Sequence, residues 1–256
     1  MTNLGSAALP MASADTQLPG YDRAAVTVGI VHIGFGGFYR AHQAVYLDSL
    51  LALEAEANSF GICGVNLLPQ DRRMADVMAA QDNLYTVLVR DPDGSSSSRV
   101  IGSIVNHLFA PDSPERVLQT MTDPQVRIVS LTITEGGYYY DPALDLVDLA
   151  SPELVHDLEN PRNPRTAFGY LAEALRRRRV NGLAPFTVMS CDNVNANGDL
   201  TRRVLTAFAT TQDQNLGRWI DEEVAFPNSM VDRITPRTSA DDIALVAEMT
   251  GLGGWC

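Results

Sequence analysis

The sequence predicts a doubly wound α/β fold, a mostly parallel sheet with helices on both faces. Three observations carry that expectation. Several runs are continuously apolar and β-branched over strand length, as strands covered on both faces must be. Helix-periodic segments separate them at the spacing of right-handed crossovers. Polar or glycine-rich stretches follow three of the runs, where an open parallel sheet holds its ligands.

Residues 1–22 are small, polar and Pro/Gly-containing, without the charged start and apolar core of a signal peptide, and read as a flexible tail. The first buried strand is "AVTVGIVHIG" (25–34), and a helix over 40–57 follows with Ala41, Ala44, Val45, Leu47, Leu50 and Leu51 at helical spacing. "FGICGVNLL" (60–68) is a second buried strand, 70–81 a helix, and "LYTVLVRD" (84–91) a strand that turns at "PDGSSSS" (92–98). Residues 99–110 then pair back as one partner strand. Ser113 and Pro114 mark the N-cap and first position of a helix to 122. Strand 127–134, helix 163–180 and strand 186–194 follow, and Asp199 is the expected N-cap of helix 200–212.

Composition narrows the function. The 256 residues carry a net charge of −12, and the only basic tract is Arg176–Arg179. Nucleic acid is excluded as a partner, because its phosphates need clustered cations. The four arginines read as the solvated C-terminal face of a helix. No run approaches the ~20 apolar residues of a membrane helix, so a membrane partner is not expected. Cys63, Cys191 and Cys256 are too few and scattered for a disulfide framework or a metal site, which fits a reducing cytoplasm. All 19 basic residues are arginine. A mechanism that needs a lysine cannot draw it from these residues.

The stretch "VHIGFGGFYRAH" (31–42) bears the most chemistry. Gly34 makes the tight turn off the first strand, Gly36 admits a pyrophosphate to the backbone, and the helix N-terminus beyond supplies N–H groups. Phe35, Gly37 and Phe38 complete the turn. The third glycine of a G-x-G-x-x-G is missing, with Tyr39 in its place. Arg40 adds a charge to the phosphate site or is a surface arginine. A ligandless glycine turn is the alternative to the whole motif.

These residues carry a resemblance. "IVHIGFGGFYRAHQAVYLDSLL", "AAQDNLYTVLVRDPDG", "TITEGGYYYD", "SCDNVNANG" and "FPNSMVDRITP" resemble, in order, motifs of the polyol-specific long-chain dehydrogenases, the mannitol 2-dehydrogenase family. The likeness runs from about residue 28 to 250. It implies a Rossmann-type dinucleotide-binding domain over 23–236, with 237–256 the start of a truncated helical C-terminal substrate domain. It also implies a metal-free oxidoreductase that interconverts a sugar alcohol and a ketose with NAD. The family's catalytic lysine, a general base, lies on a later segment, so this chain resembles the cofactor domain without its catalytic half and is expected to be inactive alone.

By the same resemblance, Asn193 donates to the reacting oxygen and Asp232 lies near the substrate. Glu135 relays protons or holds the nicotinamide ribose. Each has a structural alternative: a turn asparagine, an ion pair with an arginine, and a turn cap. Two readings stand for the second strand's end, "GVNLLPQDRR". Either Asp71 grips the ribose hydroxyls, marking NAD, or Arg72 or Arg73 accommodates the 2′-phosphate of NADP; NAD is preferred. The rival functions are a non-catalytic dinucleotide module and a piece of a sugar-acid (fructuronate-type) reductase. A reductase built on Tyr-x-x-x-Lys fails for want of lysine. The apolar groups of residues 238–252, with Tyr138–Tyr140, Phe226 and Met230, are expected to be exposed at an interdomain face and to drive self-association.

Overall fold

The computed structural model describes residues 2–231 and 234–254. Five strands form the central sheet: β1 (Val28–Ile33), β2 (Gly61–Asn66), β3 (Ile104–Phe109), β4 (Ile128–Leu131) and β5 (Thr187–Ser190). All neighbours are parallel and the order is 3-2-1-4-5. That is the Rossmann order, in which the chain reverses direction of winding between β1 and β4.

Side-chain alternation assigns the two faces. Val31, Ile33, Cys63, Val65, Val129, Leu131 and Val188 share one apolar cluster. That cluster is closed by α4 (Pro114–Thr122), α6 (Ala167–Val180), α7 (Asn197–Gln212) and α8 (Gln214–Glu223). Ile30, Ile62 and Ile104 point the other way, onto α1 (Gly37–Ala41), α2 (Gln43–Leu53) and α3 (Arg72–Ala80). Cys63 and Cys191 are buried and free.

Several expectations need correction. The run 99–110 is not one strand. Ser96–Ile101 pairs antiparallel with Tyr85–Arg90, and β3 leaves at Gly102–Ser103 to join β2. The break is held by side chains: Gly102 N–H donates to Asp48 Oδ1 (2.8 Å), Arg23 Nε donates to Gly102 O (3.0 Å), and Ser103 Oγ donates to Ala44 O (2.8 Å). Helix 40–57 starts earlier, at Gly37, and breaks at His42 (φ −118°, ψ −93°) into α1 and α2. The helix α5 (Pro152–Glu159) and α8 had no counterpart in the sequence reading. Helix α6 begins at Ala167, where the Thr166 hydroxyl accepts from Gly169 N–H.

Asp199 is not an N-cap. Helix α7 begins two residues before it, after Ala196 in the left-handed region. Its first N–H groups, Gly198 and Asp199, donate to Asn228 Oδ1 at 2.8 and 3.2 Å. A residue 30 positions downstream therefore caps the helix.

The arginine run is not a solvated face either. Arg178 is buried and donates to the carbonyls of Ala184, Met121 and Asp123. Its neighbours Arg176 and Arg177 hold the buried Glu173. The first turn of α4 and the last of α6 are joined by Arg177 and Glu115.

The N-terminal segment is packed, not a loose tail. Thr2–Asn3 pairs parallel with Leu252–Gly253, and Leu4 and Ala8 share a core cluster with Leu84, Val100 and Leu252. That cluster outweighs the segment's polar composition, because its few apolar side chains are spaced to meet the back of the hairpin. The last helix, α9 (Ala240–Thr250), lies on the same hairpin, with Val246 buried and Arg90 paired to Asp242. It carries a complete capping box at Ser239 and Asp242. Of the apolar residues expected to lack cover, Val246 and Leu252 are buried on this side of the molecule, and Ile243, Leu245 and Met249 are half-buried.

Candidate active site at the carboxyl edge of the sheet

At the winding reversal, the exits of β1, β2, β4 and β5 converge. Gly34 leaves β1 with φ +93°, and a Cβ there would lie 2.1 Å from Thr132 O. Only glycine satisfies both conditions. The turn is tied down by Gly34 N–H to Val65 O (3.0 Å) and by Thr132 Oγ1 donating to Gly34 O (2.8 Å). Gly36 and Gly37 are different: both are exposed, and an added Cβ would meet only Gly34 O at 3.6 Å or Thr235 Cγ2 at 3.9 Å. The protein leaves the outer side of that turn unfilled.

Beneath the turn lies His32, fully buried on β1. Thr132 spends its one hydroxyl hydrogen on Gly34 O, so His32 Nε2 must donate to Thr132 Oγ1 (2.9 Å), and Nδ1 accepts from Ser130 Oγ (2.9 Å). Burial depresses the imidazole pKa to about 3, so the ring is neutral. Tyr39 stacks flat on it, centroids 3.3 Å apart and planes within 5°. This explains the missing third glycine. Where a glycine lets helix and strand touch, here a histidine and a tyrosine fill a wider gap as parallel plates.

The other glycine-turn residues divide. Phe35 is buried to 1% exposure, its ring against Gly64, so of this residue only the backbone is left to face the crevice. Phe38 is half-buried, 5.0 Å from the His42 ring. The Arg40 guanidinium lies over the rings of Phe35 and Tyr85 and donates to Met74 Sδ, on the β2 side of the turn.

Asp71 sits just beyond the exit of β2, half-buried, and accepts from Asn66 Nδ2 at 3.1 Å. The adjacent Arg72 is turned away, forked onto Asp112 and stacked over Phe109. Asn66 is itself buried, and its Oδ1 accepts from His107 Nε2 at 2.9 Å. Sequence reasoning missed both Asn66 and His107. The signal available was a polar residue closing an otherwise apolar strand.

On the β4–β5 side the organising group is Asp192, also missed. Its carboxylate accepts from Ile133 N–H, Thr134 N–H and the Tyr138 hydroxyl at 3.1, 2.8 and 2.8 Å. Burial raises its pKa, and these donors pull it back. They hold Thr134 (φ 62°, ψ 168°) in backbone space that is nearly glycine-only. Tyr139 and Ala196 also take left-handed φ here, at 51° and 49°. Such strain concentrates where a surface is shaped for a ligand.

Tyr138 is fully buried against Ser190 and Asp192 instead of lining the exposed face as expected, because its hydroxyl is needed inside. Glu135 is exposed in an open groove with Val194, Asn195 and Arg203. Asn193 is exposed at the β5 exit beside that groove. The segment 226–231 is strapped over α7 by Asn197, whose Nδ2 donates to Asp192 O and Ser229 O. Asp232 lies outside the described residues. Of the apolar groups expected at an interdomain face, Phe226 is half-buried, while Met230 and its neighbour Ile234 are over 90% exposed. Among the described residues no cluster of His, Cys, Asp and Glu could hold a metal ion.

The family model described as the mannitol dehydrogenase Rossmann domain matches residues 28–249. The chain belongs to the mannitol dehydrogenase family. A mannitol 2-dehydrogenase of Aspergillus clavatus is 52% identical over 239 residues, covering 92% of this chain and 47% of that protein. One from Pyricularia oryzae is 50% identical over 234 residues, 91% of this chain and 46% of its own. Among solved structures, the Pseudomonas fluorescens mannitol 2-dehydrogenase ternary complex with NAD and D-mannitol superposes with a TM-score of 0.95 at 42% identity. It covers 99% of this chain and 51% of that one. A substrate-free D-sorbitol dehydrogenase gives 0.94 at 41% identity, covering 99% and 52%. The chain thus spans about half the length of the family members it matches. It is the dinucleotide-domain part of the family that these residues represent.

Proposed function

We propose that the chain forms the NAD-binding half of a metal-independent oxidoreductase that interconverts a sugar alcohol and a ketose, of the mannitol–fructose kind. The observation that carries this reading is the unfilled outer face of Gly36–Gly37 at the winding reversal, with a carboxylate, Asp71, at the next strand's exit. A pyrophosphate fits against the two exposed glycines, and Asp71 suits the adenosine ribose hydroxyls. Arg72, committed to Asp112, is a poor receptor for a 2′-phosphate, which favours NAD over NADP. When bound, NAD supplies the hydride acceptor for the alcohol carbon.

The chain's own residues then have separable tasks. Gly34 and Thr132 hold the turn rigid, and the neutral His32–Tyr39 pair supports it without adding charge. Asn193, exposed at the β5 exit, offers an amide donor to the substrate oxygen. Glu135 flanks the same edge as a carboxylate able to accept a hydrogen bond or proton. Asp192 positions both loops. The 256 residues contain no lysine, so a lysine general base of the kind the family resemblance implies would have to come from outside them. Titrating NADH into the chain and following its fluorescence tests the reading. Saturable binding supports it; no binding by folded protein at millimolar NADH refutes it.

A further inference from the structure

The exit of β2 holds a polar chain in which two members, Asn66 and His107, have no part in the cofactor reading. Its order is His107 on β3, Asn66 at the end of β2, and Asp71 beyond it. The hydrogen positions follow from chemistry. A carboxylate only accepts, so the Asn66 group facing Asp71 is the amide NH₂, and its oxygen faces His107. His107 Nε2 must therefore carry a hydrogen and donate. The ring has one proton to give: burial and the nearby Arg40 charge lower its pKa to about 4. Phe35 also holds the amide from the glycine turn, at a long 3.5 Å from Asn66 Nδ2 to its carbonyl. The same amide thus touches the turn proposed for pyrophosphate and the acid proposed for ribose. It occupies only Oδ2 of Asp71; among the described residues Oδ1 has no hydrogen-bond partner, and it is the oxygen left to meet a diol.

We propose that Asn66 and His107 are positioning residues for nucleotide selectivity. His107 locks the Asn66 amide, and Asn66 locks Asp71 with Oδ1 presented to the 2′-hydroxyl of an adenosine ribose. The relay rests on the NAD-binding reading above and adds to it the residues that set discrimination against a 2′-phosphate. Without the amide, Asp71 swings among rotamers. The dinucleotide with a free 2′-hydroxyl then loses an oriented acceptor. The phosphorylated one loses nothing, because for it Asp71 is only a repulsive charge. Selectivity is a difference of two affinities, so the relay acts on their ratio.

The test measures NADH and NADPH affinity by calorimetry on the chain and its variants Asn66→Ala, His107→Phe, His107→Gln and Asp71→Ala. Asn66→Ala and His107→Phe are expected to lower the NADH:NADPH affinity ratio about tenfold and a few-fold. His107→Gln, whose side-chain amide can still donate to Asn66 Oδ1, keeps the wild-type ratio. In the Asp71→Ala background neither substitution moves the ratio further. A merely structural role would weaken both nucleotides alike and leave the ratio in place. If Asn66→Ala fails to fold, the His107 pair decides alone. Binding with an unchanged ratio in His107→Phe and in any folded Asn66→Ala overturns the relay and spares the NAD-binding reading. Failure of the wild-type chain to bind NADH overturns both.

Discussion

Substituting the two glycines of the first turn should separate folding from binding. Gly34 has φ +93° and no room: its Cβ would sit 2.1 Å from a backbone oxygen, which no rotamer change relieves. Left-handed strain and a backbone clash together place Gly34→Ala at about 3–5 kcal/mol of lost stability. Gly36 has φ −101° and only an ordinary 3.6 Å contact, so Gly36→Val costs the fold little beyond an N-cap preference of about 1 kcal/mol. For a chain of this size that is a fall of roughly 2–4 °C in Tm. The isopropyl group instead occupies the space proposed for pyrophosphate. Thermal melts with and without NADH report both effects. At a hundredfold excess over Kd, a ligand stabilises by about 2.7 kcal/mol, so wild-type Tm should rise by roughly 5–10 °C. Gly36→Val should melt near the wild type and show no NADH-dependent rise. A folded Gly36→Val with the full rise would refute the assignment of the cofactor to this turn. A Gly34→Ala as stable as the wild type would refute the account of the turn itself.

Other expectations follow from buried groups and from composition. His32 and His107 are held neutral, with pKa values pushed to about 3 and about 4, against about 6.5 unfolded. Between about pH 6.5 and 4 the unfolded chain binds protons that the native chain does not. Stability therefore falls on acidification through that window, by up to ~1.4 kcal/mol per pH unit for each histidine. Urea midpoints should drop from pH 7 to pH 5, and less steeply in His107→Gln; flat midpoints would contradict the burial argument. Leu4→Asp places a charge in the cluster with Leu84, Val100 and Leu252, and should cost about 2–4 kcal/mol. Hydrogen exchange should show protection lost over 240–253 while β1 stays protected; unchanged protection would restore the flexible-tail expectation. The 256 residues alone should not oxidise mannitol with NAD, since a positioned general base contributes ~10²–10⁴-fold and the lysine that the family resemblance implies for that role is not among them. Robust turnover would show that Glu135 or another group here is sufficient.

The inner strands of the sheet were legible because they are buried on both faces. "VGIVHI", "GICGVN" and "IVSL" have no polar alternation to confuse with a surface hairpin. The glycine turn was legible because a positive φ demands Gly34, and that demand is local. What escaped depends on distant partners. Nothing near Gly102 announces that Asp48 and Arg23 will break the run 99–110 there. Asn228 caps α7 from 30 residues away, and Asp199, which looked the part, instead accepts from the Asn228 amide. Arg178 reads as one of four surface arginines until three carbonyls converge on it. In the site, exposed residues such as Asn193 and Glu135 stood out by motif. The buried polar groups beneath the site, Asp192, Asn66 and His32, are single polar letters inside apolar words, and their function appears only once the strands are side by side.

The central claim is that the outer face of Gly34–Phe38 and the exit of β2 bind one dinucleotide. Backbone amide shifts of the labelled chain, recorded as NAD is added, test it most directly. The account predicts saturable shifts over Gly34–Phe38 and Asn66–Asp71, with the hairpin 85–101 unmoved. Shifts confined elsewhere, or none in a folded chain, would contradict it.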